Sequence, residues 1–88
     1  MTRLLIWTDN GWDDYLWWQE QDKKTLRRIN KLIEDAKRHP FDGLGKPEPL
    51  KGNLSGYWSR RINDTDRLVY GVTDSAITIL MCRYHYYS

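Results

Sequence analysis

The chain has 88 residues, a formal net charge of +2 at pH 7 and an aromatic content of 14%. This length predicts one domain over residues 1–88, with a thin core that depends on large aromatic side chains. Cys82 is the only cysteine, which excludes an internal disulfide, and no run approaches the roughly 20 apolar residues that span a membrane. The N-terminus lacks a signal-peptide pattern, so we expect a cytoplasmic protein with no membrane partner.

The N-terminal segment predicts a strand followed by a helix. Residues 3–8 form a short run rich in strand-forming side chains. Asp9 and Asn10 can cap a helix that begins near Gly11 or Trp12. Helical periodicity places on one face of this helix Trp12, Tyr15, Leu16 and Gln19. Packing within the chain and packing against a second copy in a homodimer both remain open for the aromatic residues Tyr15, Trp17 and Trp18.

A second predicted helix combines an apolar stripe with basic side chains. Asp22 is its predicted N-cap, and Pro40 ends it. The apolar stripe comprises Leu26, Ile29, Leu32, Ile33 and Ala36. The other faces are basic, which is typical either of a phosphate-binding surface or of a solvated helix face. The residues of this helix that we take as candidate RNA or ribosome contacts are Lys23, Arg27 and Arg28.

The C-terminal half predicts a loop and then three strands. Residues 39–56 hold all three prolines and four of the six glycines, a composition typical of loops. Strand-like runs cover residues 57–62, 67–73 and 76–86, and the short turns between them predict an antiparallel meander. The predicted fold class is therefore α+β, with the order β-α-α-β-β-β and two helices packed on one face of a small antiparallel sheet. Alternation alone leaves the core face of the last strand open.

Two segments before the C-terminus carry side chains suited to phosphate chemistry. Glu48 lies between Pro47 and Pro49, so its carboxylate is either a rigidly placed general base or a surface residue of a stiff connector. Neighbours in a strand point to opposite faces, so Arg60 and Arg61 cannot both serve one site. Arg67 begins the adjacent strand. Arginine matches phosphate oxygens bidentately, although charge on an edge strand also discourages aggregation.

The C-terminal run of residues 83–87 combines a histidine with aromatic side chains. His85 has the chemistry of a general acid at neutral pH, and neighbouring aromatic rings can stack on unpaired bases. A frayed aromatic tail has the same composition. The two histidines and one cysteine match no metal-ligand spacing, and no glycine-rich phosphate loop is present. We therefore expect neither a metal nor a cofactor.

Five segments in order along the chain resemble the YoeB/Txe toxins of the RelE-like superfamily. They are WDDYL at 12–16, GKPEPLK at 45–51, NLSGYWSRRI at 53–62, RLVY at 67–70 and CRYHY at 82–86. The resemblance implies a RelE-like fold and the toxin of a type II toxin–antitoxin system. It also implies ribosome-dependent cleavage of messenger RNA in the A site, without a metal.

The resemblance assigns roles residue by residue. It implies that Glu48 is the general base, Arg67 the phosphate-binding arginine, His85 the general acid and Tyr86 the adjacent aromatic residue. Lys51 and Arg61 are candidate helpers in holding the RNA. A cognate YefM-like antitoxin is implied as a partner, with a homodimer as a further expectation.

Two other classes of function remain open for this sequence. A ParE-like toxin that inhibits DNA gyrase shares the fold, but the Glu48 and His85 pair counts against it. A non-catalytic module that binds RNA or a regulatory partner through the basic helix is the second alternative.

Overall fold

The computed structural model describes residues 2–85 as two helices packed against a five-stranded sheet. The elements in chain order are β1 (Leu4–Trp7), α1 (Asp9–Gln21), α2 (Lys23–Arg38), β2 (Glu48–Pro49), β3 (Tyr57–Arg61), β4 (Arg67–Val72) and β5 (Ala76–Met81). The predicted α+β class and the order β-α-α-β-β-β are confirmed, with one additional two-residue strand, β2, inside the predicted loop. Neither helix is long and apolar enough to cross a membrane.

The sheet is mixed, whereas the sequence predicted only antiparallel pairing. Its strand order is β1-β5-β4-β3-β2, and the pairs from β2 to β5 are antiparallel as the short turns predicted. β1 pairs with β5 in parallel. The reason lies in the long connection, because the chain leaves β1 and crosses the sheet through both helices before the meander begins. β1 and β2 are the two edge strands.

The first helix begins at Asp9, two to three residues earlier than the predicted start near Gly11 or Trp12. Thr8 is its N-cap, because the Thr8 hydroxyl accepts a hydrogen bond of 3.0 Å from the backbone N–H of Gly11. Asp9 and Asn10 therefore lie inside the first turn. Gly11 has a packing role, since a Cβ there would lie 2.4 Å from the carbonyl oxygen of Ile79. Only a glycine lets α1 cross β5 this closely.

The buried face of α1 also differs from the predicted one. Trp18 is 6% exposed and packs in the core, while Trp12 and Leu16 are 43% and 41% exposed. The Tyr15 hydroxyl donates to Asn30 on α2 at 2.6 Å. Trp18 therefore packs within the chain, whereas Tyr15 and Trp17 are half-buried, and a homodimer contact through these two stays a prediction.

The second helix follows its sequence signals closely. The Asp22 carboxylate accepts the backbone N–H groups of Lys24 and Thr25 at 3.0 and 3.2 Å, which confirms the predicted N-cap. The helix ends at Arg38, before Pro40, as predicted. The residues of its stripe that are buried against the sheet are Ile29, Leu32, Ile33 and Ala36.

A β-bulge decides which residues of the last strand face the helices. Tyr70 pairs with Ile79, but the preceding residue, Val69, pairs with Met81, so Leu80 is the extra residue. The bulge shifts the alternation, with the result that Ile79 and Cys82 are both fully buried. β5 ends at Met81 and does not continue to residue 86 as predicted, since the chain then leaves the sheet.

The buried Cys82 thiol leads to a direct prediction about its reactivity. Burial raises the pKa of Cys82 to about 12, and the side chain has no exposed surface. We expect iodoacetamide at pH 8 to leave Cys82 unmodified in the folded protein and to alkylate it rapidly in denaturant, because the thiolate is the reactive form. Mass spectrometry measures this directly, since Cys82 is the only cysteine. Equal rates in both conditions would contradict the buried placement.

Arg60 joins β3 to α2 and to the loop that follows α2. Its side chain has no exposed surface and donates to the Asp35 carboxylate at 2.6 Å and to the Tyr70 hydroxyl at 3.0 Å. It also donates to three backbone carbonyls of the loop, those of His39, Asp42 and Leu44. From the sequence, we interpreted Arg60 as either a phosphate contact or a charge on an edge strand. Its buried position fits neither interpretation.

Candidate active site

Glu48 is held at the edge of the sheet by pairing with β3. It lies directly opposite Ser59, and two residues further along β3 the backbone N–H of Arg61 donates to the Gly45 carbonyl at 2.7 Å. The step from Ser59 to Arg61 spans two residues, whereas the step from Glu48 back to Gly45 spans three. The Gly45–Glu48 segment therefore contains a bulge. Lys46 adopts a left-handed conformation there, with a φ of 51°. The predicted stiff connector is thus a short strand that fixes the backbone of Glu48.

One face of the sheet carries Glu48 together with two arginines. Arg60 points toward the helices, so its neighbours Ser59 and Arg61 point to the opposite face, where Ser59 is buried and Arg61 is exposed. Arg61 lies directly across from Arg67, which shares that face. From the register and ordinary strand spacings, the Cα of Glu48 is about 8 Å from that of Arg61 and about 12 Å from that of Arg67. Glu48, Arg61 and Arg67 thus belong to the same face of the sheet.

The Arg67 guanidinium is partly anchored and partly available. Arg67 is 8% exposed, and its Nη1 donates to the backbone carbonyls of Asn63 and Asp66 at 2.8 and 3.1 Å. Within residues 2–85, its Nε and Nη2 make no further hydrogen bond. The anchored nitrogen fixes the plane of the guanidinium group.

Residues 82–85, here called the C-terminal segment, bring His85 beside the start of β4. The Tyr84 carbonyl accepts the backbone N–H of Arg67 at 3.0 Å, and the Tyr84 N–H donates to the Asp66 carboxylate at 2.6 Å. The exposed His85 follows directly. It lines a groove between the end of α1 and the 63–66 turn, together with Trp17, Thr65, Asp66 and Arg83.

The remaining predicted site residues lie at varied distances from this face. Lys51 is exposed and follows β2 closely. Lys23 and Arg27 are exposed on α2, which packs on the other face of the sheet, so they do not join Glu48. Arg28 is also on α2 and donates to the Arg61 carbonyl at 3.1 Å.

Tyr86 lies outside the described residues. Within residues 2–85, no three His, Cys, Asp or Glu side chains gather as a metal site.

Sequence reasoning missed two residues of α1 that bind the C-terminal segment. The Asp14 carboxylate accepts the backbone N–H of Cys82 at 3.1 Å, and the Trp18 indole N–H donates to the Cys82 carbonyl at 2.7 Å. Burial raises the pKa of Asp14 above its ordinary value of 3.8, which outweighs the opposing effect of the hydrogen bond from Cys82. The i, i+4 spacing of Asp14 and Trp18 places both on one helix face and was the available signal.

Comparison with known proteins gives a consistent assignment over nearly the whole chain. Residues 7–86 match the family model described as the YoeB-like toxin of bacterial type II toxin–antitoxin systems. The chain is 62% identical over 82 residues to Toxin YoeB of Escherichia coli K12, covering 93% of this chain and 98% of that protein.

Solved structures agree with the sequence match. A YoeB/ParE toxin from Agrobacterium tumefaciens superposes with a TM-score of 0.91 at 53% identity, covering 94% of this chain and 99% of that one. The YoeB dimer from Staphylococcus aureus gives a TM-score of 0.89 at 44% identity, with coverages of 98% and 100%. The YoeB–YefM complex from the same organism gives 0.87 at 42% identity, with the same coverages. The chain therefore belongs to the YoeB-like toxins of bacterial type II toxin–antitoxin systems.

Proposed function

We propose that this toxin is a ribosome-dependent endoribonuclease that cuts messenger RNA in the A site without a metal. The main support is that a carboxylate, Glu48, and two guanidinium groups, Arg61 and Arg67, share the face of the sheet opposite the helices. His85 adds an imidazole next to Arg67 through the backbone of Tyr84. These groups supply a base, a positive charge and an acid, which is the set that phosphodiester transesterification needs.

In the proposed reaction, Glu48 takes the proton of a ribose 2′-OH as the 2′ oxygen attacks the adjacent phosphorus. The bond from phosphorus to the 5′ oxygen of the next nucleotide breaks, and His85 gives that oxygen a proton. Arg67 binds the phosphoryl oxygens as negative charge builds on them, with Lys51 and Arg61 as further cationic contacts. The products are a 2′,3′-cyclic phosphate and a 5′-OH, so no water or metal enters the balance. Tyr86 is proposed to orient the substrate or stack on a base.

The ribosome has a clear physical role in this scheme. Well-oriented reacting groups lower a barrier by roughly 7–11 kcal/mol, but one face of so small a sheet holds a flexible RNA strand poorly. The ribosome fixes the messenger RNA in the A site and presents one phosphodiester to the toxin. The basic residues of α2 that are proposed to contact ribosomal RNA outside the catalytic face are Lys23, Arg27 and Arg28.

Two protein partners follow from the family. We propose that the chain binds a YefM-like antitoxin and forms a homodimer, because the S. aureus relatives were solved as a YoeB–YefM complex and as a YoeB dimer. A ParE-like role in gyrase inhibition is not favoured, since the family match over residues 7–86 is to YoeB-like toxins. The same match argues against a non-catalytic RNA-binding module.

Substitution of a single ribose tests the proposed nucleophile. On ribosomes programmed with a messenger that carries 2′-deoxyribose at the nucleotide 5′ to the cut, we expect no cleavage at that position, because the attacking oxygen is absent. The same substitution one nucleotide upstream is the control and leaves the cut unchanged. Unmodified messenger is expected to yield 2′,3′-cyclic phosphate ends, and only with ribosomes present. Cutting at the deoxyribose position would rule out this mechanism.

A further inference from the structure

The C-terminal segment is bound from both sides, and three of the side chains that bind it, those of Asp14, Trp18 and Asp66, have no direct part in the proposed chemistry. It leaves β5 after Met81 and belongs to no helix or strand. Such a segment is ordinarily mobile unless other groups satisfy its backbone. Here Cys82 is bound by α1, and Tyr84 is bound by the 63–66 turn and the start of β4.

On the α1 side, both backbone groups of Cys82 are occupied. Its N–H donates to Asp14 and its carbonyl accepts from the Trp18 indole, at 3.1 and 2.7 Å. Trp18 is buried, so this hydrogen bond is shielded from water and its geometry is fixed by the packing of the ring. Next in the chain, the Arg83 guanidinium lies 3.5 Å from the centre of the Trp17 ring. The helix thus sets where the segment begins.

On the opposite side, both backbone groups of Tyr84 are occupied as well. Its N–H donates to Asp66 at 2.6 Å and its carbonyl accepts from the backbone N–H of Arg67 at 3.0 Å. Tyr84 has a φ of 66°, a left-handed conformation that residues other than glycine adopt uncommonly. The Asp66 contact stabilises this conformation. The left-handed conformation of Tyr84 sets the direction in which the chain continues to His85.

We propose that Asp14, Trp18 and Asp66 are positioning residues for His85, acting through the backbone of the C-terminal segment without touching the RNA. This inference rests on the proposed role of His85 as the general acid. Catalytic geometry tolerates little error, and a displacement of about 1 Å costs about 100-fold in rate. Loss of one of these contacts therefore lowers the rate of the chemical step and leaves RNA binding unchanged.

Paired substitutions separate the hydrogen bonds from the rest of each side chain. Trp18→Phe keeps an aromatic ring in the core and removes the indole N–H. Asp66→Ala removes the acceptor for the Tyr84 N–H, whereas Asp66→Asn keeps an acceptor oxygen. Trp12→Phe is the matched control, because Trp12 lies on the same helix and is exposed.

Steady-state cleavage of ribosome-bound messenger RNA gives kcat and KM, and single-turnover cleavage isolates the chemical step. We expect Trp18→Phe and Asp66→Ala to lower kcat about 10- to 100-fold with KM unchanged. Asp66→Asn is expected to restore most of the rate lost in Asp66→Ala, and Trp12→Phe to match the wild type. A rise in KM at constant kcat would overturn the inference, as would an unchanged kcat in both variants. The assays run well below the Tm of each variant. If Trp18→Phe unfolds, Asp66→Ala still tests the inference, because it leaves the core unchanged.

A double-mutant cycle with His85→Ala separates positioning from general loss of structure. If Trp18 and Asp66 act through His85, their substitutions cause little further loss of rate in the His85→Ala background. An equal loss in both backgrounds would show a purely structural role and overturn the inference. If His85→Ala alone keeps the wild-type rate, the acid role in the proposed function fails and the inference falls with it. These two failures are distinguishable because only the second appears in the single His85 variant.

Discussion

Glu48→Gln is expected to lower ribosome-dependent cleavage by about 10²- to 10⁴-fold, the range that a general base contributes. Glutamine has the same shape as glutamate but cannot accept the 2′-OH proton at neutral pH. Glu48 is exposed on an edge strand, so the substitution leaves the core and the pairing with β3 in place. The effect should therefore fall on kcat, measured on ribosome-bound messenger RNA.

Glu20→Gln is the matched control for this experiment. Glu20 is an exposed carboxylate on α1, in the helix layer on the other side of the sheet, and we expect its variant to cut at the wild-type rate. Unfolding curves should be the same for both variants and the wild type. A Glu48→Gln toxin that cuts within a few-fold of the wild-type rate would remove the general base from the mechanism.

Arg60→Met is expected to lower the free energy of unfolding by up to about 3–5 kcal/mol, the cost of breaking a fully buried ion pair, because Arg60 is fully buried and the Asp35 side chain is 22% exposed. The substitution leaves the Asp35 carboxylate without its cation and leaves the 39–44 carbonyls without donors. Total stability in a domain of this size is of the same order as this loss, so much of the variant is expected to be unfolded. Urea denaturation followed by tryptophan fluorescence measures the change.

Arg61→Met supplies the comparison, because Arg61 is the next residue of β3 but is exposed on the other face. We expect its stability to change by no more than about 0.5 kcal/mol. Replacing both members of the pair, Arg60→Met with Asp35→Leu, should cost less than the sum of the two single changes, since no charge is then stranded. Equal stabilities for the Arg60 and Arg61 variants would refute the structural role of Arg60.

The contact between Asp35 and Arg60 also makes the stability of the protein depend on pH. Burial raises the pKa of Asp35, but hydrogen bonds from the Leu44 N–H and from Arg60 outweigh it, so the pKa lies below its ordinary value of 3.8. A lowered pKa in the folded state means that the contact stabilises the protein above pH 3.8 and that this contribution disappears as the pH falls through the folded-state pKa. This acid dependence should be weaker in Arg60→Met.

Local signals predicted the helices and the meander well. The Asp22 cap and the stripe from Ile29 to Ala36 are patterns of residues close together in sequence, and interactions between such neighbours are enough to form them. The parallel pairing of β1 with β5 was not predictable in this way, because it joins segments about 70 residues apart. The bulge at Leu80, which decides the core face that alternation left open, was not predictable from local patterns either. It is defined only by the register against β4, and it changes which side of β5 is buried.

The candidate site was likewise predictable from the sequence only in part. The residue types at Glu48, Arg67 and His85 were visible in the sequence, and the resemblance gave them roles. What the sequence could not supply was their support, since Asp14 and Trp18 meet Cys82 only after α1 has packed on β5. Arg60 and Arg61 show the limit of composition most clearly, because two identical neighbours serve a buried network and an open face.

The place of β5 between β1 and the meander makes it the strand on which both halves of the fold depend. It is the last strand in chain order, yet it joins the N-terminal edge strand to the meander. Until β5 is in place, β1 has no neighbouring strand, and α1 has neither the strand it crosses nor Cys82 to bind. Pairing between such distant segments folds slowly, because the entropy of loop closure is lost before the contacts form.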